Sequence, residues 1–156
     1  MSGFSLLAAT AYPVACAEQL SGLMAPYCAA ADPEDPNLFW LSYELGGWAP
    51  HFLAPAADKP IEDTAPAGYQ WCCTVQKGNI AWEAMRELAK PPVCYCAYPY
   101  DTDILLAPDG TCRRFERRME TGIGNYAEMW FQWLTQIQNF LTNTPDDYYL
   151  TCVFCK

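Results

Sequence analysis

Apolar positions recur along this chain with two periods, one of about two residues and one of 3.6, and each period predicts an element. Phe4 to Thr10 is a short apolar run that predicts a first strand. Pro13 suits the first turn of a helix reaching Met24, with Leu20, Leu23 and Met24 on its buried side and Pro26 ending it. Ala29 to Pro36 reads as an acidic, proline-bearing loop. From Leu38 to Leu45, Phe39, Leu41, Tyr43 and Leu45 alternate onto one face and Ser42 and Glu44 onto the other, which predicts a strand stopped by Gly46-Gly47. Pro50, Pro55, Pro60 and Pro66 then punctuate the chain from Trp48 to Gly68, so residues 46–68 are expected to form a long Pro/Ala-rich surface loop.

Tyr69 to Val75 is apolar on both faces and reads as a central strand. Asn79 can cap a helix running to Lys90, before Pro91-Pro92, and Val93 to Ala97 reads as a buried strand. Asp103 to Ala107 and Thr111 to Glu116 flank Pro108-Asp109-Gly110, a hairpin with a suitable turn. The longest helical stripe is Tyr126, Trp130, Trp133, Leu134, Ile137, Phe140 and Leu141. Asn125 and Glu128 form a capping-box pattern at its start, Asn143 and Pro145 close it, and Gln132, Gln136 and Asn139 lie opposite the stripe. Tyr148 to Cys155 is a final strand. Strands and helices alternate irregularly, without a βαβ repeat. The expected architecture is a single α+β domain over residues 1–156: a mixed or antiparallel sheet of about five to six strands with two to three helices packed mainly on one face.

Composition adds a packed core and an aromatic surplus. Apolar residues make up 52% of the chain and charged residues 17%, the reverse of a disordered segment. Aromatics reach 15%, which reads either as an aromatic core or as rings partly placed on a partner or self-association face. The net charge of −9 disfavours nucleic-acid backbones and anionic membranes as partners. No apolar run approaches the ~20 residues that span a bilayer. Phe4 to Ala9 is apolar, yet it lacks a basic leader and Pro13 follows, so a signal peptide is not expected.

The nine cysteines are odd in number, and most lie inside apolar runs such as Trp71-Cys72-Cys73 and Val93-Cys94-Tyr95-Cys96. That is the setting of free, buried thiols, and it points to a reducing cytoplasm. Cys152 and Cys155 have a zinc-like spacing, and Cys94 with Cys96 could add a second pair. No glycine makes a knuckle there, and on a strand Cys152 and Cys155 point to opposite faces, so no metal or other cofactor is expected. The one histidine, His51 in a proline loop, has no nucleophile placed beside it by the sequence, so catalysis is not expected.

Charge is the last asymmetry. Residues 1–76 hold one basic side chain, Lys59, while Arg113, Arg114, Arg117 and Arg118 concentrate four of the nine basic residues after the hairpin turn. Guanidinium groups take carboxylate or phosphate in bidentate fashion, so the cluster is a candidate anion site, with Gly122-Ile123-Gly124 as a weak backbone contributor. The alternative is an edge strand charged against aggregation. Asp32, Glu34 and Asp35, with Asp58, Glu62 and Asp63, are candidate partner-binding carboxylates without calcium-loop spacing, and Gln132 and Gln136 are candidate partner contacts on the uncharged helix face.

These features together read as a small acidic cytosolic interaction protein that docks by carboxylates and exposed aromatics. The profile resembles small accessory proteins of phages and mobile elements, including inhibitors of host defence. Two alternatives stand beside it: a binder of a small anionic, nucleotide-like ligand through the arginines, and a subunit of a larger, virion-like assembly.

Overall fold

A computed structural model describes residues 4–27, 43–46, 52–56, 65–88, 102–115 and 122–155. Two strands with apolar residues at nearly every position organise it, because such strands are stable only when both faces are covered. These are β1 (Phe4–Thr10) and the last strand, β8 (Tyr149–Cys155), which pair antiparallel from Phe4↔Cys155 to Thr10↔Tyr149. On the far side of β1, β6 (Ile104–Leu106) runs parallel to it and pairs antiparallel with β7 (Cys112–Arg114). The other edge of β8 is shared end to end by β2 (Tyr43–Leu45) and β5 (Thr74–Gln76), both antiparallel to it. The result is a mixed six-stranded sheet ordered β2-β8-β1-β6-β7, with β5 also on β8. An α+β fold with a sheet at its centre is therefore what the sequence pattern predicted.

Pleat parity sorts the side chains into two cores. Leu7, Ala9, Leu105, Leu150 and Cys152 face one side, where they meet Trp133 and Ile137 of α3 (Gly122–Asn143) and Met85 of α2 (Trp82–Leu88). Leu6, Ala8, Ile104, Leu106, Val153 and Cys155 face the other, covered by Leu20 and Met24 of α1 (Ala17–Met24). Two of the three helices thus share one face. Thr151, buried in the middle of β8, is satisfied by a 2.9 Å hydrogen bond with the Thr74 hydroxyl.

The structure moves several boundaries. Residues 46–68 are not loop throughout: Phe52–Pro55 forms β3 and pairs with β4 (Tyr69–Cys72) in a separate two-stranded sheet. Phe52 and Leu53 are fully buried, so core burial overrides the proline punctuation, and Pro55 sits at the strand's end. The run from Tyr69 to Val75 is not one central strand. It breaks at Cys73, whose carbonyl accepts from the Cys152 N–H at 2.7 Å, and there the chain passes from β3 to the edge of β8.

Helix starts shift for similar reasons. Asn79 does not cap α2; it lies in a 3-10 turn (Lys77–Asn79), and the Ala81 N–H is bound by the Leu53 carbonyl at 2.8 Å just before Trp82. Pro13 does not open α1, because Val14 is fully buried ahead of the helix; Cys16, with extended backbone, is the N-cap, and Gln19 accepts from the Ala15 N–H at 2.8 Å. α3 begins at Gly122, so Gly122, Gly124 and Asn125 lie inside it. Once the downstream stripe is anchored, each added upstream residue gains a backbone hydrogen bond, which outweighs the cap signal at Asn125. The proposed strand over Val93 to Ala97, the segment from Leu38 to Ser42 and the acidic loop at Ala29 to Pro36 lie outside the described residues.

Candidate functional site

The hairpin predicted around Pro108-Asp109-Gly110 forms, and it supplies one wall of a cleft. Gly110 takes φ of 89°, a value glycine adopts without strain, and its N–H donates to the Ala107 carbonyl at 3.0 Å. Asp109 accepts from the Thr111 N–H at 2.8 Å. That bond, then the Thr111 side chain, with Arg113 adding attraction, holds the exposed Asp109 carboxyl below its ordinary pKa.

Parity along β7 then separates the arginines. Arg113 pairs with Leu105 and lies on the α3 side, while Arg114 pairs with Ile104 and lies on the α1 side with Cys112. Phe115 returns to the α3 side and packs on Trp130 and Trp133, with ring centroids 5.3 and 5.8 Å away. The indole N–H of Trp133, itself buried, donates to the Thr102 carbonyl at 2.8 Å. These contacts fix the roll of α3 against the hairpin.

With that roll set, Gln136, Asn139 and Asn143 come to one side of the helix and face the hairpin across a cleft of about 220 Å³. Arg113 and Thr111 line the opposite wall, and Leu105 and Phe140 add apolar surface. The C-terminal end of α3 closes one end. There the Thr144 hydroxyl donates to the Phe140 carbonyl at 2.7 Å, and the Lys77 ammonium donates to the Thr144 carbonyl at 2.6 Å, a cation placed against the negative end of the helix dipole. A second cleft of about 200 Å³ lies across the hairpin turn, beside half-exposed Tyr12, Leu23 and Tyr148.

The structure brings Arg113 and Gln136 together and sends Arg114 to the other face of the sheet. Gln132 is exposed one turn earlier on α3, next to Phe131, which is 68% exposed. Arg117, Arg118, Asp32, Glu34, Asp35, Asp58, Glu62, Asp63, His51, Cys94 and Cys96 lie outside the described residues. Gly122-Ile123-Gly124 is the first turn of α3 and not a loop before it. The sequence pattern did not single out Thr111 or Asn143 for the cleft, because one reads as turn chemistry and the other as a helix stop.

Cys152 and Cys155 are both buried, on opposite faces of the sheet, so they cannot chelate one ion together. Among the described residues no group of three or more His, Cys, Asp or Glu side chains is arranged to hold a metal. Burial pushes the Cys155 thiol up to about 12 and the Cys112 thiol up to about 11, and pushes Cys152 well above its ordinary value, so none of these is a thiolate nucleophile at neutral pH. No helix among the described residues is long and apolar enough to cross a membrane.

Compared with known protein families, curated proteins and solved structures, the chain matches none, so its function is read from its own geometry.

Proposed function

We propose that this chain is a non-catalytic interaction protein, an inhibitor or accessory protein of the kind phages and mobile elements carry, which docks a partner protein through the outer face of α3. One observation carries the reading. From Met129 to Pro145 no residue is charged, yet Phe131, Gln132, Thr135, Gln138 and Thr142 are exposed along one side of the helix. A solvated helix face normally carries charge, and this one lies on a chain of net charge −9. Depletion of charge around an exposed aromatic is the composition of an interface centre.

A cytoplasmic setting is part of the proposal, supported by the free thiols at Cys16, Cys72, Cys73, Cys112, Cys152 and Cys155. The net charge of −9 suits a basic surround on the partner.

The test compares affinity capture from the native host by the wild type and by Phe131→Asp. The wild type is expected to retain a defined partner, and Phe131→Asp, folded by circular dichroism, to lose it, since a buried central aromatic contributes about 2 kcal/mol or more. Equal retention by both proteins refutes docking through α3. Sedimentation of the purified chain at high concentration separates this reading from a self-assembling subunit, which predicts oligomers disrupted by the same substitution.

A further inference from the structure

We propose that the cleft between the β6–β7 turn and the C-terminal half of α3 binds an extended, carboxylate-bearing peptide segment; its source in a partner protein rests on the docking reading above.

The argument begins with unspent polar groups. Among the described residues, no hydrogen bond engages the side chains of Arg113, Gln136, Asn139 or Asn143, all four line this cleft, and Arg113 is attracted by the exposed Asp109 at the rim without forming an ion pair with it. Each carboxamide both donates and accepts, as a peptide unit does, so a peptide main chain can satisfy it with paired hydrogen bonds. Their spacing fits that ligand. From Gln136 to Asn143 the helix rises about 10 Å, the length of about three extended residues. Leu105 and Phe140 supply apolar surface for one of the ligand's side chains.

The charges choose the anion. Arg113 presents a planar fork that matches a single carboxylate. Arg114 lies on the opposite face and adds nothing here. The cleft also ends at the C-terminus of α3, where the helix dipole is negative, and Asp109 stands on its rim. That field opposes a phosphoryl dianion and tolerates one carboxylate held by one guanidinium.

The experiment is an amide-resolved NMR titration of the full chain with three probes: N-acetyl-trialanine with a free C-terminal carboxylate, its C-terminal amide, and inorganic phosphate. The free acid is expected to shift the amides of Thr111, Arg113, Asn139 and Asn143 saturably and to leave Tyr12 and Leu23 in place. The amide form is expected to bind about tenfold more weakly, the effect of one charge-assisted contact. In Arg113→Gln the two peptides should bind alike, while phosphate should leave these resonances unmoved in the wild type. No saturable shift with either peptide overturns the proposal. So does equal binding of acid and amide by the wild type, or a phosphate response matching the peptide's, which would mark a plain anion site. Running the same titration on Phe131→Asp separates the two readings. Peptide binding alongside unchanged partner capture sinks the α3 docking surface alone, and partner loss with a cleft silent to peptide sinks the cleft alone.

Discussion

Replacing Trp133 by phenylalanine isolates the contact that sets the roll of α3. The indole is 2% exposed and its N–H donates to the Thr102 carbonyl at 2.8 Å, while Thr102 itself is 1% exposed. Phenylalanine keeps an aromatic ring against Phe115 but removes the donor. The carbonyl is then buried without this partner, which costs about 1–3 kcal/mol. The missing second ring leaves a void in the core that Trp133 shares with Ile137 and Leu105, for which about 1 kcal/mol is a fair allowance. The sum, about 2–4 kcal/mol, is a large part of the roughly 5–15 kcal/mol that holds a domain of this size. Urea unfolding followed by circular dichroism measures it, because the other indoles confuse fluorescence. The midpoint should fall while the slope stays constant. Trp130→Phe serves as the control: Trp130 is half-buried and no hydrogen bond holds its indole among the described residues, so its loss should be well below that of Trp133→Phe. Equal losses, or a loss under about 0.5 kcal/mol at Trp133, would refute the claim that this hydrogen bond positions the helix.

Thiol burial and the geometry at the end of α3 set the remaining outcomes. Burial, with Cys112 nearby, pushes the Cys155 thiol up from its ordinary value to about 12, so the neutral thiol's contribution is intact below the ordinary thiol range and is lost as pH rises towards 12, by up to about 4 kcal/mol. Alkaline unfolding of the wild type should therefore be steeper than that of Cys155→Ala, and in native protein a thiol reagent should label exposed Cys16 long before Cys152 or Cys155. Lys77→Met should cost about 1–2 kcal/mol in urea, because the half-buried ammonium caps the Thr144 carbonyl at 2.6 Å. Asp146→Asn should cost almost nothing, since that carboxylate is 84% exposed and 3.7 Å from the ammonium. A reversal of that order would show that the ion pair, and not the helix-end hydrogen bond, secures this corner.

Local chemistry determined a good deal by itself. The apolar runs at β1 and β8, the turn at Pro108-Asp109-Gly110 and the α3 stripe each carry a period or a turn residue that few alternatives share, so their elements were legible in the chain. The opposite facing of Cys152 and Cys155 follows from strand parity alone. Gln136 was legible as a polar residue on α3, and Arg113 as part of a basic cluster.

Tertiary structure decided what these residues meet. Whether Phe52–Pro55 is loop or strand depends on Tyr69–Cys72 lying beside it, and a proline-rich sequence does not encode that pairing locally. Cys73 breaks a continuous apolar run because its carbonyl bonds to a strand near the other end of the chain. The cleft itself is a product of register: β6 pairing Leu105 with Arg113 turns one arginine towards α3 and its neighbour away, and Trp133 fixes which carboxamides answer it. Periodicity gives each element a face, but the partner of that face is set by contacts between residues far apart in sequence, whose energies appear only when the chain has folded.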